Sequence, residues 1–132
     1  MKLTLQVMLG VAAGLRGLDG YDKIVKDGER ERVVKEYYKL GGGLRLLIAK
    51  NLNLLDVQQV LYQKARAELV RSMLDDTGEI PKNKTADFLA EERKMLEVES
   101  EIDLAVIKPN ELNLDVNPIP GTTLSLIQPI LE

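Results

Sequence analysis

The chain has 132 residues, 45% apolar and 30% charged, a formal net charge of −3, and no histidine, cysteine or tryptophan. That length suits one domain, residues 1–132, burying about two thirds of its unfolded surface without metal or disulfide staples. The missing residue types exclude cysteine and histidine nucleophile–base pairs, thiolate and imidazole metal sites, disulfides and a histidine pH switch.

In chain order, Thr4 is a plausible N-cap, and Leu5, Met8, Leu9, Ala12 and Leu15 then recur at three- and four-residue spacing, which predicts a first short helix ended by Gly17 and Gly20. Asp19 to Gly28 is rich in Gly and Asp and reads as a loop, after which Val33, Val34, Tyr37, Tyr38 and Leu40 predict a second helix, broken by Gly41-Gly42-Gly43. Leu44 to Leu74 is the longest periodic segment. As one helix it would span about 46 Å, so it either protrudes or bends near Asn51-Leu52-Asn53.

Asp75 to Pro81 reads as a turn-rich loop, and Thr85 as the N-cap of a helix carrying Phe88, Leu89, Met95 and Leu96. The period then changes to two. Ile102, Leu104 and Val106, then Leu112, Leu114 and Val116, predict two short strands within 101–117, separated by Pro109. Pro118 and Pro120 bend the chain, and Thr122 or Thr123 caps a terminal helix bearing Leu124, Ile127, Ile130 and Leu131. The expected fold class is mainly α (α+β): a helical bundle with one long helix and a small two-stranded β element near the C-terminus.

Candidate chemistry is sparse. The acidic cluster Glu91, Glu92, Glu97, Glu99, Glu101 and Asp103 lacks the spacing of a metal or acid–base site, and Asp75-Asp76-Thr77-Gly78 lacks the terminal glutamate of a calcium loop, Lys84 standing there. No catalytic residue, metal or cofactor is expected, and the chain reads as a non-enzyme.

The first fifty residues carry ten Lys/Arg against six Asp/Glu, whereas the remaining 82 carry eight against fifteen. Arg30, Arg32, Lys35, Tyr37, Tyr38 and Arg45, just before and after the glycine break, are therefore the candidate site for an anionic ligand. Guanidinium forks and free helix-start amides suit phosphate, and tyrosines can stack on a base. Duplex nucleic acid is disfavoured by the acidic total and the absence of a DNA-reading motif. Leu52, Leu54 and Val57 widen the apolar face of the long helix, which predicts a homo-oligomer interface. Neither a signal peptide nor an apolar run of membrane-spanning length is evident, so a cytoplasmic setting away from membrane is expected.

The order of segments resembles a family of small uncharacterised proteins of tailed bacteriophages and prophages, known as a domain of unknown function. The likeness rests on Lys2-Leu3-Thr4-Leu5, Leu47-Ile48-Ala49-Lys50-Asn51, Tyr62 through Ala65-Arg66 to Leu69, Phe88-Leu89-Ala90-Glu91, Leu96 with Glu99, Ile102-Asp103-Leu104, and Leu124 to Pro129-Ile130. The resemblance implies a phage accessory protein acting by binding in the host cytoplasm. Two roles follow as expectations: counteracting host defence, by binding a defence protein or sequestering an anionic nucleotide signal, or taking part in tail or head assembly through helix-mediated association with virion proteins.

Overall fold

A computed structural model describes residues 1–132. The chain is 56% helical and 18% strand, so it is mainly α with a small β component, here two separate two-stranded antiparallel sheets.

Strand β1 (Lys2–Thr4) runs into helix α1 (Leu5–Gly17), where Thr4 Oγ1 accepts a hydrogen bond from the Val7 amide at 3.2 Å, as its sequence position predicts. The helix is the centre of the molecule. Met8, Val11, Ala12 and Leu15 are almost wholly buried, and Gly14 lets the C-terminal helix come close: a Cβ there would lie 2.6 Å from Ile127 Cγ2.

Strands β2 (Gly20–Asp27) and β3 (Arg30–Tyr37) form a hairpin where the sequence predicts a loop and a helix. Two features override the helical spacing of Val33, Val34, Tyr37 and Tyr38. Valine, isoleucine and tyrosine favour extended backbone, and Gly28, at φ 68°, takes the first central position of the two-residue turn, where positive φ is required. Gly20 is a packing glycine: a Cβ would come within 2.3 Å of the Glu36 carbonyl oxygen.

Helix α2 (Gly42–Met73) is continuous through Asn51-Leu52-Asn53 and spans about 48 Å. The triple glycine opens it instead of ending a preceding helix, with Gly41 at the N-cap. Its buried residues, Leu44, Asn51 and Leu55, all lie in the N-terminal half. The C-terminal half projects, and helix α3 (Thr85–Leu96) lies along it, held by Phe88 and by a 2.6 Å bond from Arg66 Nε to Glu92 Oε2. Thr85 is the first helical residue, not the cap, because a 3₁₀ turn at Lys82–Lys84 leads into α3.

After α3, strand β4 (Glu99–Glu101) pairs with β1, Leu3 facing Ser100. The two strands expected within 101–117 do not form. Ile102 and Leu104 are buried as the alternation implies, but Val106 is exposed and Ile107 takes the buried place, and the backbone at Ala105 bonds to a side chain: its amide donates to Asn51 Oδ1 and its carbonyl accepts from Asn51 Nδ2, both at 2.9 Å. The Leu112–Val116 alternation fails because a 3₁₀ turn at Pro109–Leu112 buries Leu112, while left-handed Asn113 (φ 48°) turns the chain and leaves Leu114 and Val116 exposed. Asn117, also buried, accepts from the Lys39 amide at 2.8 Å and donates to the carbonyls of Lys39 and Leu112.

Helix α4 (Gly121–Ile127) packs on α1, starting from Pro120 and so slightly ahead of Thr122 and Thr123. A 3₁₀ turn carrying Pro129 follows and buries Ile130, while Ile107 bridges Leu131 in parallel. One apolar cluster thus joins α1, the start of α2, the 102–119 segment and α4.

Candidate functional site

The six residues expected to hold an anion are not brought together. Hydrogen-bonded pairing across β2 and β3 sets side chains on alternate faces, so Arg30 and Arg32 share one face while Lys35 and Tyr37 occupy the other. At about 3.3 Å per residue, Arg30 also stands about 23 Å along the strand from Tyr37. Tyr38 is a core residue, 2% exposed, tilted against Tyr21 with ring centroids 5.4 Å apart. Burial, with a smaller contribution from Tyr21, pushes its phenol above the ordinary range.

Lys35 pairs with Asp19, and the hydrogen bond to that carboxylate raises the pKa of its ammonium; its Nζ also sits 5.5 Å from the Tyr37 ring centroid. Arg45 closes the connection between β3 and α2, its Nη2 donating to the Tyr38 carbonyl at 2.9 Å and its Nε to the Leu40 carbonyl at 3.2 Å. Arg45 and Asp19 line an open cleft of about 350 Å³ with Leu15, Leu18, Leu40 and Leu52. Arg30 and Arg32 remain exposed at the hairpin's far end, on a face they share with Asp27, Val25 and Val34.

The residues expected at an oligomer interface also divide. Leu52 packs half-buried against the core, facing that cleft, whereas Leu54 and Val57 point outward. They belong to a longer row that the sequence reading missed. Leu54, Val57, Val60 and Leu61 are 42%, 57%, 61% and 56% exposed, and the spacing of 54, 57 and 61 aligns three of them on one helix face, with Val60 beside them. Leu61 also lines an apolar cleft of about 190 Å³ with Leu5, Met8, Tyr62, Met95 and Val98, where α1, α2 and α3 meet. The available signal was a second apolar stripe, about a third of a turn round the helix from the one that includes Leu44, Asn51 and Leu55.

The acidic cluster is dispersed into ion pairs: Glu91 with Lys94 at 2.9 Å, Glu92 with Arg66 at 2.6 Å, Glu99 with Lys2 at 3.7 Å. In the Asp75 turn the carboxylate is occupied by the chain itself, accepting from the Thr77 hydroxyl and from the amides of Thr77 and Glu79. No helix is long and apolar enough to cross a membrane. Comparison with protein-family models, curated proteins and solved structures finds no match to this chain.

Proposed function

We propose that this chain is a non-enzymatic phage accessory protein that works in the host cytoplasm by binding other proteins, as a component of tail or head assembly. The observation that carries the reading is the outward row Leu54, Val57, Val60 and Leu61 on a helix that projects beyond the core. About half of each side chain is exposed, so covering the four would release on the order of 4 kcal/mol of apolar hydration, a useful contribution to a protein interface. The resemblance to tailed-phage proteins implies virion proteins or a host defence protein as partner, and the row on α2 suits the helix-mediated association expected with the former.

Sequestration of a nucleotide signal has less support, because its basic and aromatic residues lie on opposite hairpin faces or in the core. The non-enzymatic reading rests on chemistry: Glu91, Glu92 and Glu99 of the densest acidic segment face separate cations, and the two clefts between the helices are lined mainly by apolar side chains.

Affinity measurements against purified virion proteins, with calorimetry against a panel of cyclic and linear nucleotides, test the proposal. Binding to a virion protein that falls at least about tenfold in the V57D/V60D variant, with the folding midpoint nearly unchanged, is the expected result. Tight nucleotide binding by a protein indifferent to those two substitutions would replace assembly with sequestration.

A further inference from the structure

The hairpin offers a second surface of a different kind. β3 is paired on one side only, all eight of its side chains are exposed, and no residue from Asp22 to Tyr37 enters the apolar cluster. A two-stranded ribbon standing off its core is marginal by itself, and a long open edge is a template for another strand.

The phase of that edge follows from the register. The Tyr38 amide donates to the Asp19 carbonyl, so the even-numbered residues of β3 turn their backbone groups toward β2, while Glu31, Val33 and Lys35 turn theirs outward.

We propose that β3 pairs with β3 of a second copy of this chain, antiparallel about a two-fold axis at Val33, to give one four-stranded sheet ordered β2, β3, β3, β2. The side chains identify the occupant. In this register Arg30 lies opposite Glu36, Glu31 opposite Lys35, and Val33 opposite its own copy, so symmetry gives each charge pair twice.

Opposed residues must share a face, so a symmetric register is centred on a residue. Centring on Arg32 sets that arginine against itself, and centring on Val34 keeps Arg32 opposite Glu36 as its single charge pair. Within the chain Lys35 pairs with Asp19 and Glu36 with Lys23, yet the two side chains stay 45% and 47% exposed and open to a second partner. The pairing also gives purpose to two exposed apolar residues. Ile24 faces Val33 across the hairpin, 65% and 68% exposed, and the joined sheet would align Ile24, Val33, Val33 and Ile24 in one row.

The test is sedimentation equilibrium of the full chain across a concentration series. Wild type is expected at twice 14.7 kDa, and E31K, which sets lysine opposite lysine twice, at 14.7 kDa with self-affinity weakened on the order of tenfold or more. Mixing E31K with K35E restores both charge pairs and should return the dimer mass. V33P, which deletes an outward N–H and leaves the β2 side intact, should be monomeric with an unchanged circular dichroism spectrum.

A wild type that stays at 14.7 kDa throughout overturns the proposal. So does a dimer indifferent to both E31K and V33P, and so does one dissolved by V57D alone, which would move self-association to α2. The assembly reading stands or falls separately, on V57D/V60D and virion proteins.

Discussion

Two buried asparagines show how single side chains set the path of the C-terminal half. Asn51, 1% exposed on α2, satisfies both backbone groups of Ala105, and Asn117, 4% exposed, holds Lys39 and Leu112 together. Asn51→Ala removes two hydrogen bonds and leaves a small void, so it should cost about 2–3 kcal/mol, read from the denaturant midpoint. Asp75 works by charge. Three hydrogen bonds, led by that from the Thr77 hydroxyl, hold its carboxyl below the ordinary aspartate range. Because the folded pKa is depressed, the turn's contribution is full above the unfolded value of about 3.9 and is lost as pH falls through the folded pKa. Wild type should therefore lead Asp75→Asn in stability at neutral pH and converge with it in acid, measured as folding midpoints across a pH series.

At the scale of elements, α3 is a lightly attached helix on the projecting half of α2. Phe88 is its buried residue, with the Arg66 guanidinium 5.4 Å from the ring centroid. Phe88→Ala should cost about 3 kcal/mol and speed hydrogen exchange over Thr85–Leu96 more than over α1, whereas Arg66→Ala should produce only a smaller rise in the same amides. The long α2, α1 with its Thr4 cap and the terminal helix were legible in the sequence because their apolar residues recur at the helical period. The hairpin was not, because Val33, Val34, Tyr37 and Tyr38 satisfy a helical spacing as well as an extended one. Asp27-Gly28 between two stretches rich in β-branched residues was the signal that separates them. The 102–106 alternation foretold burial of Ile102 and Leu104 but not the bonding partner, since a side chain amide replaced a neighbouring strand. The basic residues are dispersed for a related reason. A helix would have set Arg30, Arg32, Lys35 and Tyr37 on neighbouring turns, whereas a strand divides them between two faces.

For the molecule as a whole, part of the charge asymmetry of the sequence is met by ion pairs that join the basic first fifty residues to the acidic remainder, Arg16 to Asp56 and Lys2 to Glu99, while other pairs form within each part. Arg16 of α1 reaches Asp56 of α2 at 2.6 Å, Lys35 reaches Asp19, and Arg66 reaches Glu92. Among the surfaces left open are an apolar row along α2 and the unpaired edge of β3, both of a kind that suits a protein partner. The central claim is that α2 meets another protein. A photo-crosslinking amino acid at position 57, with position 82, exposed in the 3₁₀ turn before α3, as the control, tests it in cells producing virions. A discrete adduct with a virion protein is expected from position 57 and none from position 82; crosslinks no more frequent at position 57 than at the control would contradict an interface on α2.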